Sequence, residues 1–323
     1  MSKMVSKKTL LNILFGLIGI GVLYWTVSIY GMDNYINVFL KASPIFILLA
    51  ILAPLAEEIS ASYQLKTVFK STNMPLSFKD MFWIELWGSF LGDLQKGIGI
   101  FVIIDSIAVK AKISHIDSTS RFSLYYAVAM IIRAVATGVG IFYFMRVVPV
   151  QYQSIVMFFI ILVFLGAIGL LLTVFGNKTI KSLIIKVFGK VPIMGKIVNN
   201  MVQIDVKEPK TTILTLFALG TFNWIMSASH WLFISYAIGY PIDFWFCLAT
   251  VSLISLVKLI PLFPSSIGVY DLALAAGLGV VNIPVYVGLS FAMIERFTDI
   301  ASNTIAVLKP EYLRFFKDVG KNG

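Results

Sequence analysis

Cysteine is almost missing from this chain. Cys247 stands alone in an apolar stretch, so an internal disulfide or a cysteine metal cluster cannot be built. Histidine is nearly as scarce, with only His115 and His230, which leaves no metal or general-base constellation. Charge is thin as well: 13% of 323 residues are charged against 59% hydrophobic, and the mean hydropathy is +0.90, outside soluble globular statistics. P-loop, dinucleotide-binding and nucleophile-elbow patterns are absent, so any transport is expected to be passive or ion-coupled. The reading is an all-α polytopic membrane protein, a single integral domain over 1–323, with no cofactor, no metal and no catalytic residue, and not an enzyme.

What charge there is falls in a pattern. The net charge is +10, but the cations flank apolar segments, which reads as the positive-inside rule and not as a nucleic-acid surface. The apolar run Leu10 to Tyr30 is too long for a signal-peptide core and reads as a first span. A second span, Pro44 to Lys66, holds Pro54, Glu57 and Glu58. Two short apolar pieces, Phe78 to Gly92 and Gly97 to Ala111, meet at Asp93 to Gly99 and suggest a hairpin of half-helices. Phe122 to Tyr143 carries Arg133 near its centre, and Ile155 to Phe175 has no charge at all. Residues 178–203 alternate lysines with an apolar stripe, the pattern of a helix lying in the cytoplasmic interface. The remainder is Thr211 to Tyr236 with Asn223 and His230, Phe244 to Ile260, a broken element, and a last span to Val307. With Lys41 and Arg146 outside and Lys96, Arg133, Lys258 and Arg296 within, the other 20 of 26 Lys and Arg lie on the cytoplasmic side. That predicts about six full spans plus two pairs of short or re-entrant helices, both termini cytoplasmic, in the cell membrane.

The broken element sets the functional expectation. Pro261 and Pro264 stop a helix, while Ser265, Ser266 and Gly268 start a new one with Asp271 in its first turn. The order of span, short helix, glycine-containing break, short helix and span with central arginine occurs twice, over 44–143 and 211–307, in opposite orientations. Inverted repeats with broken helices are an arrangement of secondary transporters, whose half-helix N-termini favour anions. Interior charges cost about 2.5 to 3.5 kcal/mol each at mid-membrane, so they mark function or pairing. Arg133 and Arg296 are expected to grip a phosphate bidentately. Lys96, Gly97, Gly99, Lys258, Ser265, Ser266, Gly268 and Asp271 are expected to complete the substrate path. Glu57, Glu58, Asp271, Glu295 and Asp299 share the interior with few cations and are the ion-coupling candidates, with Glu295 or Asp299 as partner of Arg296.

Pro264-Ser-Ser-Ile-Gly268-Val-Tyr-Asp271-Leu-Ala-Leu, followed by Ile294-Glu-Arg296-Phe, resembles the lysylphosphatidylglycerol synthase transmembrane-domain family of flippase-like proteins. The family pattern has two glycines where Ser265 and Ser266 stand, and a glutamate where Asp271 stands. Around Gly92 to Arg133 the chain is similar to the family's earlier motif, with Ala136 at a position that is often acidic. The resemblance implies movement of an anionic lipid, a phospholipid or a polyprenyl-phosphate-linked lipid, by the membrane half without the soluble aminoacyltransferase domain. A second reading is a membrane subunit that anchors a separate soluble synthase or glycosyltransferase, or that forms a homo-oligomer. A third is an intramembrane hydrolase, because Glu57-Glu58 is similar to the paired glutamates of prenyl-protein-processing proteases, although Ser62 stands where those have arginine.

Overall fold

The computed structural model describes residues 21, 24–25, 27–70, 76–94, 96–147, 150, 153–154, 157–158, 161, 165, 168, 210–255 and 269–309, with side chains for all of these but 94, 96, 97, 139–145, 147, 255 and 269. The described elements are helices: α1 Met32–Lys41, α2 Pro44–Phe69, α3 Phe78–Leu94, α4 Lys96–Ala111, α5 His115–Val147, α6 Lys210–Ala237, α7 Phe244–Ser255, α8 Val269–Gly279 and α9 Val285–Asn303, which continues as a 3-10 turn Thr304–Leu308. No strand occurs among the described residues. The expected spans Leu10 to Tyr30 and Ile155 to Phe175 fall largely outside the described residues, and the interfacial helix over 178–203 falls wholly outside them.

Two described helices, α2 and α6, are long and apolar enough to cross a membrane. At 1.5 Å per residue their 26 and 28 residues reach roughly 40 Å, beyond a hydrocarbon core of about 30 Å. Their burial is inside-out relative to a soluble helix. Ile45 (65% exposed) and Leu214 (71% exposed) face outward, while Ser60, Ser62, Gln64, His230 and Ser235 are buried. Large apolar residues outside and small or polar residues inside is what a bilayer selects, because lipid solvates leucine and cannot solvate a hydroxyl. The two helices form the most extensive pairing in the bundle, fixed by the Ser60 hydroxyl donating to the Leu219 carbonyl at 3.1 Å.

The two expected short-helix pairs differ in how they pack. α3 and α4 pack back to back as a hairpin, and Gly88, Gly92 and Gly99 bring their backbones into contact: a Cβ on Gly99 would collide with the Gly88 carbonyl oxygen and sit 2.8 Å from the Gly92 Cα. By contrast α7, expected to pair mainly with α8, packs chiefly on α5. α8 and α9 approach as closely as α3 and α4, since a Cβ on Gly288 would lie 2.7 Å from the Ala275 Cα.

Helix ends at the rim are chemically defined. Ser77 and Asp80 form a reciprocal capping box on α3, the Ser77 amide donating to Asp80 Oδ2 at 3.1 Å and the Asp80 amide to Ser77 Oγ at 3.1 Å. Ser114 and Asp117 open α5 similarly, and α5 begins two turns before the expected Phe122 because this cap lies there. Lys112 (φ 54°) and Asn282 (φ 62°) hold left-handed conformations that let Ile113 and Ile283 donate back to Ala108 and Leu278, ending α4 and α8.

Candidate functional site

α2, α3, α5, α6 and α9, with single turns of α4, α7 and α8, surround a cavity of about 280 Å³. Its walls follow helical periodicity. α6 contributes Gly220, Asn223, Trp224, Ser227, His230 and Trp231; α5 contributes Phe122, Tyr125, Tyr126, Ala129, Ile132 and Arg133; α3 contributes Glu85, Gly88, Ser89, Gly92 and Asp93. Each set repeats at three- and four-residue steps, so each helix turns one stripe inward, polar and small on α3, aromatic and aliphatic with Arg133 on α5, and mixed polar and aromatic on α6. α2 adds Glu57, Glu58, Ala61 and Gln64, and α9 adds Glu295, Asp299 and Asn303.

Several lining acids are held by neutral donors. The Tyr270 hydroxyl reaches Glu295 Oε1 at 2.6 Å, and the Trp231 indole donates to the same oxygen at 3.2 Å; Glu295 itself is 3% exposed. His230 Nδ1 lies 3.7 Å from Asp299 Oδ1, and its Nε2 is 2.8 Å from the Thr298 hydroxyl. The Ser227 hydroxyl donates to Glu57 Oε2 at 2.6 Å across the α2–α6 seam, and the Asn303 amide donates to Asp93 Oδ2 at 2.8 Å, joining α9 to α3. On α2 the environment is different: Glu58 Oε2 and both amide atoms of Gln64 are buried without a hydrogen-bond partner, as is Asn223 Oδ1 on α6.

Of the expected substrate residues, Arg133 and Gly99 line the cavity. Arg296 and Asp271 do not: they meet each other, Arg296 Nε donating to Asp271 Oδ1 at 2.9 Å, with the guanidinium 5.6 Å from the Tyr270 ring centroid. Asp271 is a partner that the sequence reading, which named Glu295 or Asp299, did not include; it lies across the helix pair, where Gly288 lets α9 press against α8. Lys96 and Gly97 stand in the first turn of α4, without described side chains, and Lys258, Ser265, Ser266 and Gly268 lie outside the described residues. Of the ion-coupling candidates, Glu57, Glu58, Glu295 and Asp299 come together in the lining, and Asp271 does not.

Gln64, Glu85, Asp93, Trp231 and Tyr270 were not among the expected site residues. The inward stripes of α3 and α6 would have revealed most of them, had neutral polar residues and glycines been read together with the charges. For the hydrolase reading, no group of three or more His, Cys, Asp and Glu side chains is placed to hold a metal among the described residues. His115 stands at the rim, 3.5 Å from Asp105, and is not part of the lining.

No curated protein matches the chain. A family model described as "Lysylphosphatidylglycerol synthase TM region" matches residues 11–306, which takes in helices α1 to α9. The chain therefore belongs to the lysylphosphatidylglycerol synthase transmembrane-region family.

Proposed function

We propose that this protein passes the headgroup of a lipid carrying a single phosphodiester from one leaflet to the other through the cavity, while the acyl or prenyl chains stay in the bilayer. The observation that carries the reading is a cavity of about 280 Å³, lined in part by charged and polar side chains, inside a bundle whose outward faces are apolar. Nothing in a scaffold calls for such a space, since buried polar groups cost stability unless something satisfies them. A headgroup that must cross a hydrocarbon layer needs such a space.

The charge balance narrows the ligand. Among the described residues of the lining, Arg133 is the arginine, beside six carboxylates, Glu57, Glu58, Glu85, Asp93, Glu295 and Asp299. One phosphodiester can take a bidentate contact from Arg133. A second negative charge would be repelled, so the rest of the headgroup is neutral or cationic. Lysylphosphatidylglycerol, in the family's name, has one phosphodiester and ammonium groups and fits that rule; a polyprenyl phosphodiester of a neutral sugar fits it as well. Glu57, Glu58, Glu295 and Asp299 are the groups through which protons could be exchanged for the lipid.

Two inverted halves, α2 to α5 and α6 to α9, give the alternation that transport requires. The pairings of α2 with α6, of α5 with α7 and of α3 with α9 are those expected for halves related by a two-fold axis. The protein is placed in the cell membrane with both termini cytoplasmic.

The test is reconstituted flipping of a labelled phospholipid and a labelled polyprenyl phosphodiester of a neutral sugar by wild type, Arg133→Lys and Arg296→Lys, with thermal stability followed in parallel. Arg133→Lys is expected to fold normally and to lose about tenfold or more in flipping, the cost of replacing a fork by a point charge. Arg296→Lys is expected to act on stability first. Full flipping by Arg133→Lys would remove the phosphate assignment. No flipping by wild type, together with copurification of a soluble synthase or glycosyltransferase, would favour an anchoring subunit.

A further inference from the structure

Lipid headgroups differ in more than charge, and the cavity contains a set of neutral groups that the phosphate reading does not use. Gln64, on the α2 wall, is 1% exposed, and both its Oε1 and its Nε2 are buried with no partner. Asn223 Oδ1 on α6 and Glu58 Oε2 on α2 are buried and unpartnered in the same lining. Opposite the amide stands Gly220, which has no side chain to cover it: a Cβ there would lie 3.4 Å from Gln64 Oε1 and would collide with Ile132 Cδ1, which packs beside the amide.

The inventory of these atoms selects a ligand. Whichever way its amide is turned, Gln64 presents one donor end and one acceptor end. Asn223 Oδ1 and a carboxylate oxygen of Glu58 present acceptors. A phosphate, which only accepts, would satisfy the donor end and be repelled by Glu58. An ammonium, which only donates, would satisfy the acceptors and leave the amide N–H stranded. A hydroxyl donates and accepts at once, and two neighbouring hydroxyls can serve all three side chains without adding charge. The rings of Trp224, Tyr125 and Tyr126 line the same cavity and offer flat faces to the C–H surface of a polyol.

We propose that Glu58, Gln64 and Asn223 form a subsite for a vicinal diol, the glycerol or sugar part of a headgroup whose phosphodiester is at Arg133. The subsite deepens the headgroup reading above, and rests on it for the source of the diol: the same atoms would also take a free polyol.

The experiment uses the full chain in nanodiscs and three probe lipids of equal charge: phosphatidylglycerol and phosphatidylinositol, which carry diols, and phosphatidylmethanol, which has the phosphodiester and no hydroxyl. Free glycerol and inositol form a second arm, and reconstituted flipping of the same lipids a third. Wild type is expected to bind the diol lipids about tenfold or more tightly than phosphatidylmethanol, because a site with unmatched polar atoms rejects the analogue that lacks the matching group. Gln64→Leu, which removes only unsatisfied atoms and is expected to keep or raise the Tm, should abolish that preference. Asn223→Leu should reduce it, and serves in place of Gln64→Leu if that variant does not fold. Equal binding of all three lipids by wild type would overturn the proposal. So would a raised Tm in Gln64→Leu with the preference unchanged, which would mean that the amide holds water only. Selective binding without flipping leaves the diol subsite standing and removes translocation, and binding of free inositol alone removes the lipid as its source.

Discussion

The two sides of the cavity treat their acids differently. On the α8–α9 side, Glu295 is held by Tyr270 and Trp231, Asp271 by Arg296, and Asp299 by His230. On the α2 side, Glu58 keeps an oxygen with no partner and Gln64 keeps its whole amide that way. Glu57 on α2 has the Ser227 hydroxyl, so the contrast lies between Glu295, met by two protein donors, and Glu58 and Gln64, which keep buried atoms without one. The compensated side can be assigned to architecture, since its groups are occupied before any ligand arrives. The uncompensated side is where a ligand gains most.

That comparison breaks most decisively at Asp271. Asp271→Ala would strand the guanidinium of Arg296, whose side chain is 27% exposed, and removing one partner of such a pair costs about 3 kcal/mol. A large drop in Tm is expected, with partial recovery in the double variant Asp271→Ala/Arg296→Met, since no charge is then left over. Headgroup affinity per folded molecule should not change. If Asp271→Ala is fully stable and abolishes lipid binding, the α8–α9 side is the site and the contrast is reversed.

Steric variants sharpen the same contrast between the two short-helix pairs. Gly99→Ala would drive a methyl into the backbone of Gly88 and Gly92, where nothing can rotate away, and a loss of about 1 to 3 kcal/mol is expected. Gly277→Ala on α8 would meet the terminal carbon of Ile254 at 2.9 Å, which can turn aside, so its Tm should change little. A milder effect for Gly99→Ala than for Gly277→Ala would show that α3 and α4 are free to separate.

Glu58→Gln probes the uncompensated side directly. It removes a buried charge and keeps the shape, so the Tm should hold or rise, while proton-dependent flipping should lose its response to a pH gradient. Glu295→Gln provides the control: the Tyr270 hydroxyl lies 2.6 and 2.7 Å from Oε1 and Oε2 and the Trp231 indole donates to Oε1, so an amide puts an NH2 group in place of one accepting oxygen and the Tm should fall, by the equivalent of about 1 to 2 kcal/mol. Retention of the pH response in Glu58→Gln with loss in Glu295→Gln would move the coupling to the α9 side.

Much of this arrangement was legible in the residues. Hydropathy located α2 and α6 to within a few residues, and the polar, glycine-containing stretch Asp93 to Gly99 marked the junction of α3 and α4. Arg133 was placed inside because a mid-span guanidinium has nowhere else to go. The pairing of Arg296 with Asp271 was not legible, since it depends on how closely Gly288 lets two helices approach, a tertiary distance with no local signature. Gln64 was passed over for a different reason: a lone amide in an apolar span costs little enough to be overlooked, and only its place on the Glu57, Ala61, Gln64 stripe gives it away.

The smallest expected effects lie at the rim, where water replaces whatever is removed. Lys110 and Asp80 pair at 3.4 Å between the start of α3 and the end of α4, with both side chains more than a third exposed. An exposed pair of this kind contributes about 0.2 to 1 kcal/mol and is screened by salt, so Lys110→Met should lower the Tm slightly at low ionic strength and not at all at high. Ser77→Ala removes a hydroxyl that both accepts from the Asp80 amide and donates to its carboxylate, and a lost cap costs about 1 kcal/mol irrespective of salt. The two variants act on the same carboxylate through different physics, so salt titration separates them. The Arg296–Asp271 pair is less exposed, its side chains 27% and 6%, so a weaker salt dependence is expected for Asp271→Ala than for Lys110→Met. A salt dependence as strong would place that pair in contact with bulk water and remove it from the architecture.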